Sequence, residues 1–296
     1  MNVMAKSTRV DRHVRHEHGF EIYVLCNEKV EVAVVPELGA RIISLKNLKT
    51  GREWMWHPPG GLKLFRNRLG DDFSQSPLVG VDECLPTIAP CLWQGRKLPD
   101  HGELWNASWG VNDDAWRNGA LNTSMTLPIS PFDFERTIDL QDNEVCLSYR
   151  LSNRSAVEEQ FLWAMHPLLA LCPGDRLVLP ASTRALLHGK AWVEDLDLSI
   201  PEGHCSKLFA WPLSEGFTAI RNRNTGERLD MQWSPVENNA LGLWLTRGGW
   251  HGYHHFAIEP ANADTDDLTT AAARNRCRNV APGGSATWQV RLRLAP

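Results

Sequence analysis

Three short stretches of this 296-residue chain set an ionisable side chain beside a backbone punctuator. Leu98-Pro-Asp-His-Gly-Glu-Leu-Trp105 presents His101, Phe161-Leu-Trp-Ala-Met-His-Pro167 presents His166, and His255-Phe-Ala-Ile-Glu-Pro260 presents Glu259. Imidazole and carboxylate groups are the usual carriers of protons in general acid–base chemistry. His166 and Glu259 each precede proline, which holds the residue before it extended. Each would project from the end of a strand, a position suited to a shared cleft. Taken singly, each has a plainer reading. A histidine beside an apolar strand is more often structural, and Glu-Pro at a strand end is more often a solvated turn.

The elements that must position these groups read as strands. Apolar and polar residues alternate over Phe20–Leu25, Val30–Val35, Ala40–Leu45, Glu144–Leu151, Gln160–Met165 and Thr287–Leu294, the period of a half-buried strand. Turn signals separate them, among them Lys49-Thr50-Gly51, Gln141-Asp142-Asn143 and Pro282-Gly283-Gly284. Only Asp266–Arg276 has a helical character, with Asp266 as the expected N-cap. Strands at hairpin spacing without long helices predict an all-β fold, a large antiparallel β-sandwich. No linker or repeat divides the chain, so residues 1–296 are expected to form one domain, with 1–19 peripheral. Residues 60–120 are rich in Pro and Gly and read as a long insertion of the kind that often carries function.

Composition excludes several classes. Net charge is -4 with no basic run, which argues against nucleic acid as a partner. The apolar runs are far shorter than the ~18 residues of a membrane span. The N-terminal stretch is polar and charged, without the apolar segment of a secretion signal. Seven scattered cysteines without a CxxC pattern speak against a disulfide framework or a zinc site and for a cytoplasmic location. There are 13 Trp but only 3 Tyr. Most of these rings are expected in the core, with a few left for a binding cleft.

As an ordered set the segments resemble the signatures of the aldose 1-epimerase (galactose mutarotase-like) family, and its divergent bacterial branch in particular. Asp100-His101-Gly102-Glu103-Leu104-Trp105, Trp163-Ala-Met-His166-Pro167 and Ile258-Glu259-Pro260 carry the likeness. Pro36-Glu-Leu-Gly-Ala-Arg41-Ile, Thr50-Gly-Arg-Glu-Trp54, Gly80-Val-Asp82-Glu83-Cys-Leu-Pro86 and Pro282-Gly-Gly284 extend it over residues 20–294. The resemblance implies an isomerase that interconverts sugar anomers without a cofactor or metal. It implies Glu259 as the base at the anomeric hydroxyl, His166 as the acid at the ring oxygen, and His101 in support of the developing charge. Arg41, Asp82, Glu83 and Trp163 follow as candidate substrate contacts. Burial would raise the glutamate toward neutrality, and a nearby carboxylate would keep a histidine charged. The family's sugar-holding aspartate has three candidates here, Asp195, Asp197 and Asp230. The Asn-Arg motif of galactose mutarotases has no clear counterpart, since the surroundings of Arg66-Asn67-Arg68 differ.

Three other readings stand beside this one. His251, His254 and His255 with Glu259 offer donors for a divalent metal, although on a strand His254 would point away from the other two and Gly248-Gly249 suggests a loop. The same fold could bind sugars without turning them over. A phosphorylated or acidic sugar could use Arg41, Arg66 or Arg68.

Overall fold

The computed structural model describes residues 9–189 and 200–296. Two large antiparallel sheets pack face to face. One has ten strands in the spatial order Asp11–Glu17, Phe20–Cys26, Val30–Val35, Arg41–Asn47, Val81–Cys84, Ala164–Leu169, His254–Ala261, Ala240–Arg247, His204–Ala210 and His188–Gly189. The other has eight, in the order Asp175–Val178, Phe217–Asn222, Arg228–Trp233, Ser285–Ala295, Glu144–Asn153, Phe132–Gln141, Leu121–Thr126 and Gly110–Val111.

The two sheets differ in how their faces are covered. Ser285–Ala295 alternates buried and exposed residues along its whole length, as a strand with one solvated face must. Ala164–Leu169 and Val81–Cys84 are buried at every position. The second face of the ten-stranded sheet therefore has a cover of its own. Trp56, Phe73, Leu78 and Trp105 cluster there against Leu168 and Ala257. The cover comes largely from residues 50–110, which overlap the insertion read at 60–120 and contribute little regular structure apart from the strand Val81–Cys84 and short ladders.

Between the sheets lies an aromatic core. Trp163 and Tyr149 pack against Trp288, with ring centroids 5.0 and 5.4 Å away. Glu83 is buried among them. It accepts hydrogen bonds from Arg136 Nη1, Tyr149 OH and Trp163 Nε1, each at 2.9 Å. A buried carboxylate is tolerable only when its oxygens are met in this way.

Two local readings change. Asp267 caps the short helix Leu268–Ala273, accepting from Thr270 N at 2.7 Å, so Asp266 is left outside the cap. The expected strand Gln160–Met165 is two pieces, Glu159–Phe161 and Ala164–Leu169, which pair with different neighbours. The N-terminal segment read as peripheral supplies the edge strand Asp11–Glu17.

Candidate active site

Sheet register brings the acid–base groups together. Ala164 pairs with Ala261 and Leu168 with Ala257, which sets His166 opposite Glu259. His166 also pairs with Asp82, and Ile42 pairs with Val81, which places Arg41 beside Asp82. On the other side, Glu259 pairs with Gly242. Directly opposed residues share a face of the sheet, so Arg41, Asp82, His166, Glu259 and Gly242 form one row across five strands. Pro167 and Pro260 lack the N–H groups that would complete the ladder here, and the pairing skips from Ala164 to Leu168.

Within the row, Arg41 Nε donates to Asp82 Oδ1 at 2.7 Å, with both side chains buried. His166 Nε2 lies 3.8 Å from Glu259 Oε1, close enough for charge coupling and too far for a hydrogen bond. Glu259 Oε2 accepts instead from Lys207 Nζ. Asp266 Oδ1 lies 3.5 Å from the same ammonium.

His101 arrives from the insertion. Its backbone is left-handed, at φ 55°, and the next residue continues the turn at φ 75°. That next position must be Gly102, because a Cβ there would lie 2.1 Å from the Leu85 carbonyl oxygen. The turn presses His101 toward the sheet, 5.2 Å from His166 between ring centroids. Asp100 Oδ1 faces His101 Nδ1 at 2.9 Å, and Asp100 Oδ2 accepts from Phe73 N at 3.0 Å. Phe73 stacks flat on the His101 ring, at 3.8 Å and 11°.

These groups surround a cavity of about 260 Å³. Phe73, Leu78, Ile88, Leu168, Trp244 and Trp250 make apolar walls, while Asp100, His101, His166, Lys207, His255 and Asp266 supply the polar ones. Glu259 is 0% exposed and lies behind the wall formed by His166 and Lys207. Buried atoms without a hydrogen-bond partner gather at this place: Arg41 Nη1, Asp82 Oδ2, His166 Nδ1, His255 Nδ1, Glu259 Oε1 and Asp266 Oδ1. Such a concentration is unusual in a folded interior and marks where a polar ligand would be met.

Burial controls the protonation of the site. It raises the Glu259 carboxyl above its ordinary value, with Lys207 pulling the other way. It lowers His166 well below the usual imidazole range, helped by the positive charges around it, those of His101 and Lys207 first. The imidazolium expected at His166 is therefore replaced by a neutral ring, because burial disfavours its charge and the nearby cations add to that. His255 is pushed down to about 3, chiefly by burial. Burial works against the Lys207 ammonium, but Glu259 and Asp266 outweigh it and hold the lysine charged. For Asp100, burial is outweighed by His101 and the Phe73 and His101 N–H groups, and its carboxyl is lowered.

The structure brings together His101, His166 and Glu259, with Arg41 and Asp82 beneath the floor. Glu83 and Trp163 do not line the pocket. Glu83 follows Asp82 and Trp163 lies three positions before His166, so the alternation of the chain turns both to the opposite face, into the core between the sheets. Asp230 pairs with Arg228 on the eight-stranded sheet, and Asp195 and Asp197 lie outside the described residues. Arg66 is tied to Glu37 at the surface. His254 turns to Glu202 at 2.9 Å. No group of three or more His, Cys, Asp or Glu side chains converges in a metal-binding arrangement among the described residues. Sequence reasoning missed Phe73, Lys207 and Asp266. Lys207 and Phe73 carry no motif, and only their position in the sheet or loop reveals them.

No family model and no curated protein matches the sequence. Solved structures do. A candidate aldose 1-epimerase from Klebsiella pneumoniae superposes with a TM-score of 0.75 at 16% identity, over 96% of this chain and 83% of that one. A galactose mutarotase related enzyme from Lactobacillus acidophilus gives 0.69 at 14% identity, over 93% and 97%. A galactose mutarotase-like protein from Clostridium acetobutylicum gives 0.68 at 14%, over 98% and 99%. No helix among the described residues is long and apolar enough to cross a membrane. Over nearly its whole length the chain has the galactose mutarotase-like β-sandwich fold.

Proposed function

We propose that the chain is an aldose 1-epimerase-like isomerase that interconverts the α and β anomers of a free monosaccharide. The observation that carries this reading is the register-set opposition of Glu259 and His166, with His101 beside them, at a pocket of about 260 Å³. That size suits a single sugar ring, and Trp244 and Trp250 give its C–H surface aromatic walls to pack on.

Ring opening needs one proton removed from O1 and one delivered to O5. The O1–H pair becomes the carbonyl π bond as C1–O5 breaks, and the released O5 pair takes a proton. Glu259 Oε1, the oxygen without a partner, receives the O1 proton. His166, supported by His101, supplies the one for O5. The working site therefore carries one proton on the Glu259–His166 pair. In the empty site burial leaves His166 neutral while Lys207 holds Glu259 as the carboxylate, so the pair takes up that proton from solvent as the sugar binds. Rotation about C1–C2 and closure by the reverse transfers give the other anomer.

The charges favour a neutral sugar. Asp100 and Asp266 outnumber Lys207 at the pocket, and Arg41 is engaged by Asp82. A phosphate or carboxylate on the sugar would find no free guanidinium among the groups lining the cavity. A purely binding role fits the walls as well, but it has no use for a buried carboxylate oxygen left unpartnered opposite an imidazole.

The test is NMR anomer exchange over a panel of aldoses and aldose phosphates. Wild type should accelerate at least one neutral aldose, and Glu259→Gln should lose about 10²-fold or more. A wild-type protein that exceeds the buffer rate with no aldose sinks the isomerase reading. Full activity in Glu259→Gln sinks the assignment of the base.

A further inference from the structure

Lys207 lies two strands away from Glu259, on His204–Ala210, with Ala240–Arg247 between them. Neighbouring strands are about 4.8 Å apart, so the two side chains meet only by leaning over the intervening strand. At the crossing point that strand carries Gly242. A Cβ on Gly242 would sit 2.8 Å from Glu259 Oε2 and 3.2 Å from Glu259 Cβ. The absent side chain is the space in which ammonium and carboxylate meet.

The contact is one-sided. Lys207 Nζ engages Oε2, while Oε1 is buried, unpartnered and turned toward His166. We propose that Lys207 is a positioning residue for Glu259: it occupies Oε2 and leaves Oε1 as the single oxygen through which a sugar proton is exchanged. This rests on the isomerase reading above. Asp266 completes the device from the loop after His254–Ala261, holding the ammonium from its other side at 3.5 Å. The remaining titratable groups around Glu259 are His166 from Ala164–Leu169, His101 from the insertion, Cys84 from Val81–Cys84 and His255 on its own strand. Burial keeps the Cys84 thiol protonated and His255 neutral, so Lys207 is the cation in hydrogen-bond contact with the carboxylate.

Removing a cation beside a carboxylate makes that carboxylate easier to protonate. The acid limb of the rate then moves to higher pH, since the base is lost to protonation sooner. Lys207→Met should shift that limb of kcat upward by about one unit or more and lower kcat by about 10²-fold, with a much smaller change in KM. Lys207→Arg, which restores the charge, should return the limb toward its wild-type position. A purely structural lysine would lower the amount of folded enzyme and leave the limb where it was. That result, in a wild-type background with measurable turnover, overturns the inference and leaves the isomerase reading standing.

A second measurement covers the case in which Lys207→Met does not fold. Wild-type protein is labelled with ¹³C at glutamate carboxyls and ¹⁵N at lysine Nζ. The Glu259 carboxyl signal, identified by its loss in Glu259→Gln, should show through-space contact with one lysine Nζ. Its absence overturns the inference. Its presence in a protein that turns over no sugar overturns the isomerase reading instead.

Discussion

Gly242→Ala tests whether the geometry around Glu259 matters more than the identity of the groups. Gly242 has an ordinary extended backbone and pairs with both Glu259 and Phe209, so alanine is compatible with the strand. The added methyl, however, would lie 2.8 Å from Glu259 Oε2, 3.2 Å from its Cβ and 3.3 Å from its Cδ. Comfortable contact begins near 3.4 Å, so Oε2 must retreat by about 0.6 Å. The retreat has nowhere easy to go, because Lys207 holds the same oxygen. Overpacking of this kind costs about 1–3 kcal/mol of stability. A displacement of 1 Å at a reacting group can cost about 10²-fold in rate, so about tenfold is expected here. The assay is anomer exchange by NMR, with the folded fraction fixed by denaturant titration at the same temperature. A folded Gly242→Ala protein with wild-type kcat and an unmoved pH profile would refute the argument that this gap sets the carboxylate.

Two further outcomes follow from the same site. In Asp100→Asn the acceptor for Phe73 N–H can be kept, but the group facing His101 Nδ1 can become an amide donor and reverse the imidazole tautomer; the rate should fall by about tenfold or more, with the tautomer change visible in ¹⁵N spectra of His101, and an unchanged rate would remove His101 from the chemistry. His255 is pushed down to about 3 from an ordinary 6.5, so between those values the unfolded chain binds a proton that the folded one does not; stability should then fall by about 1.4 kcal/mol per pH unit as pH drops through that window, and His255→Gln should flatten the slope measured by urea titration between pH 7 and 5, whereas equal slopes would refute the account.

The three candidate residues His101, His166 and Glu259 were legible in the sequence because their neighbours are unusual. Proline after His166 and Glu259, and glycine after His101, mark backbone that is bent or unpaired, and the structure places all three segments around one pocket. Period-two alternation was equally legible in Ser285–Ala295 and Glu144–Asn153, whose outer faces meet water. It failed where both faces are buried. Along Val81–Cys84 every position is covered, so hydrophobicity carries no sign of direction. Asp82 and Glu83, adjacent in the chain, consequently looked alike, though one lies under the pocket and the other in the core.

Asp266 was legible as an acidic residue near a helix start and nothing more. The cap went to Asp267, and the remaining carboxylate was free to hold Lys207. Lys207 itself has no local signal, since a lysine in an alternating strand reads as solvated. The sequence by itself determined most of the strands, their prolines and the three segments that meet at the pocket, because these depend on contacts within a few residues. Only the tertiary structure decided which carboxylate oxygen is held and which is left open. That choice comes from inter-strand register, and it sets Lys207 against Glu259 across a glycine at the Gly242 position.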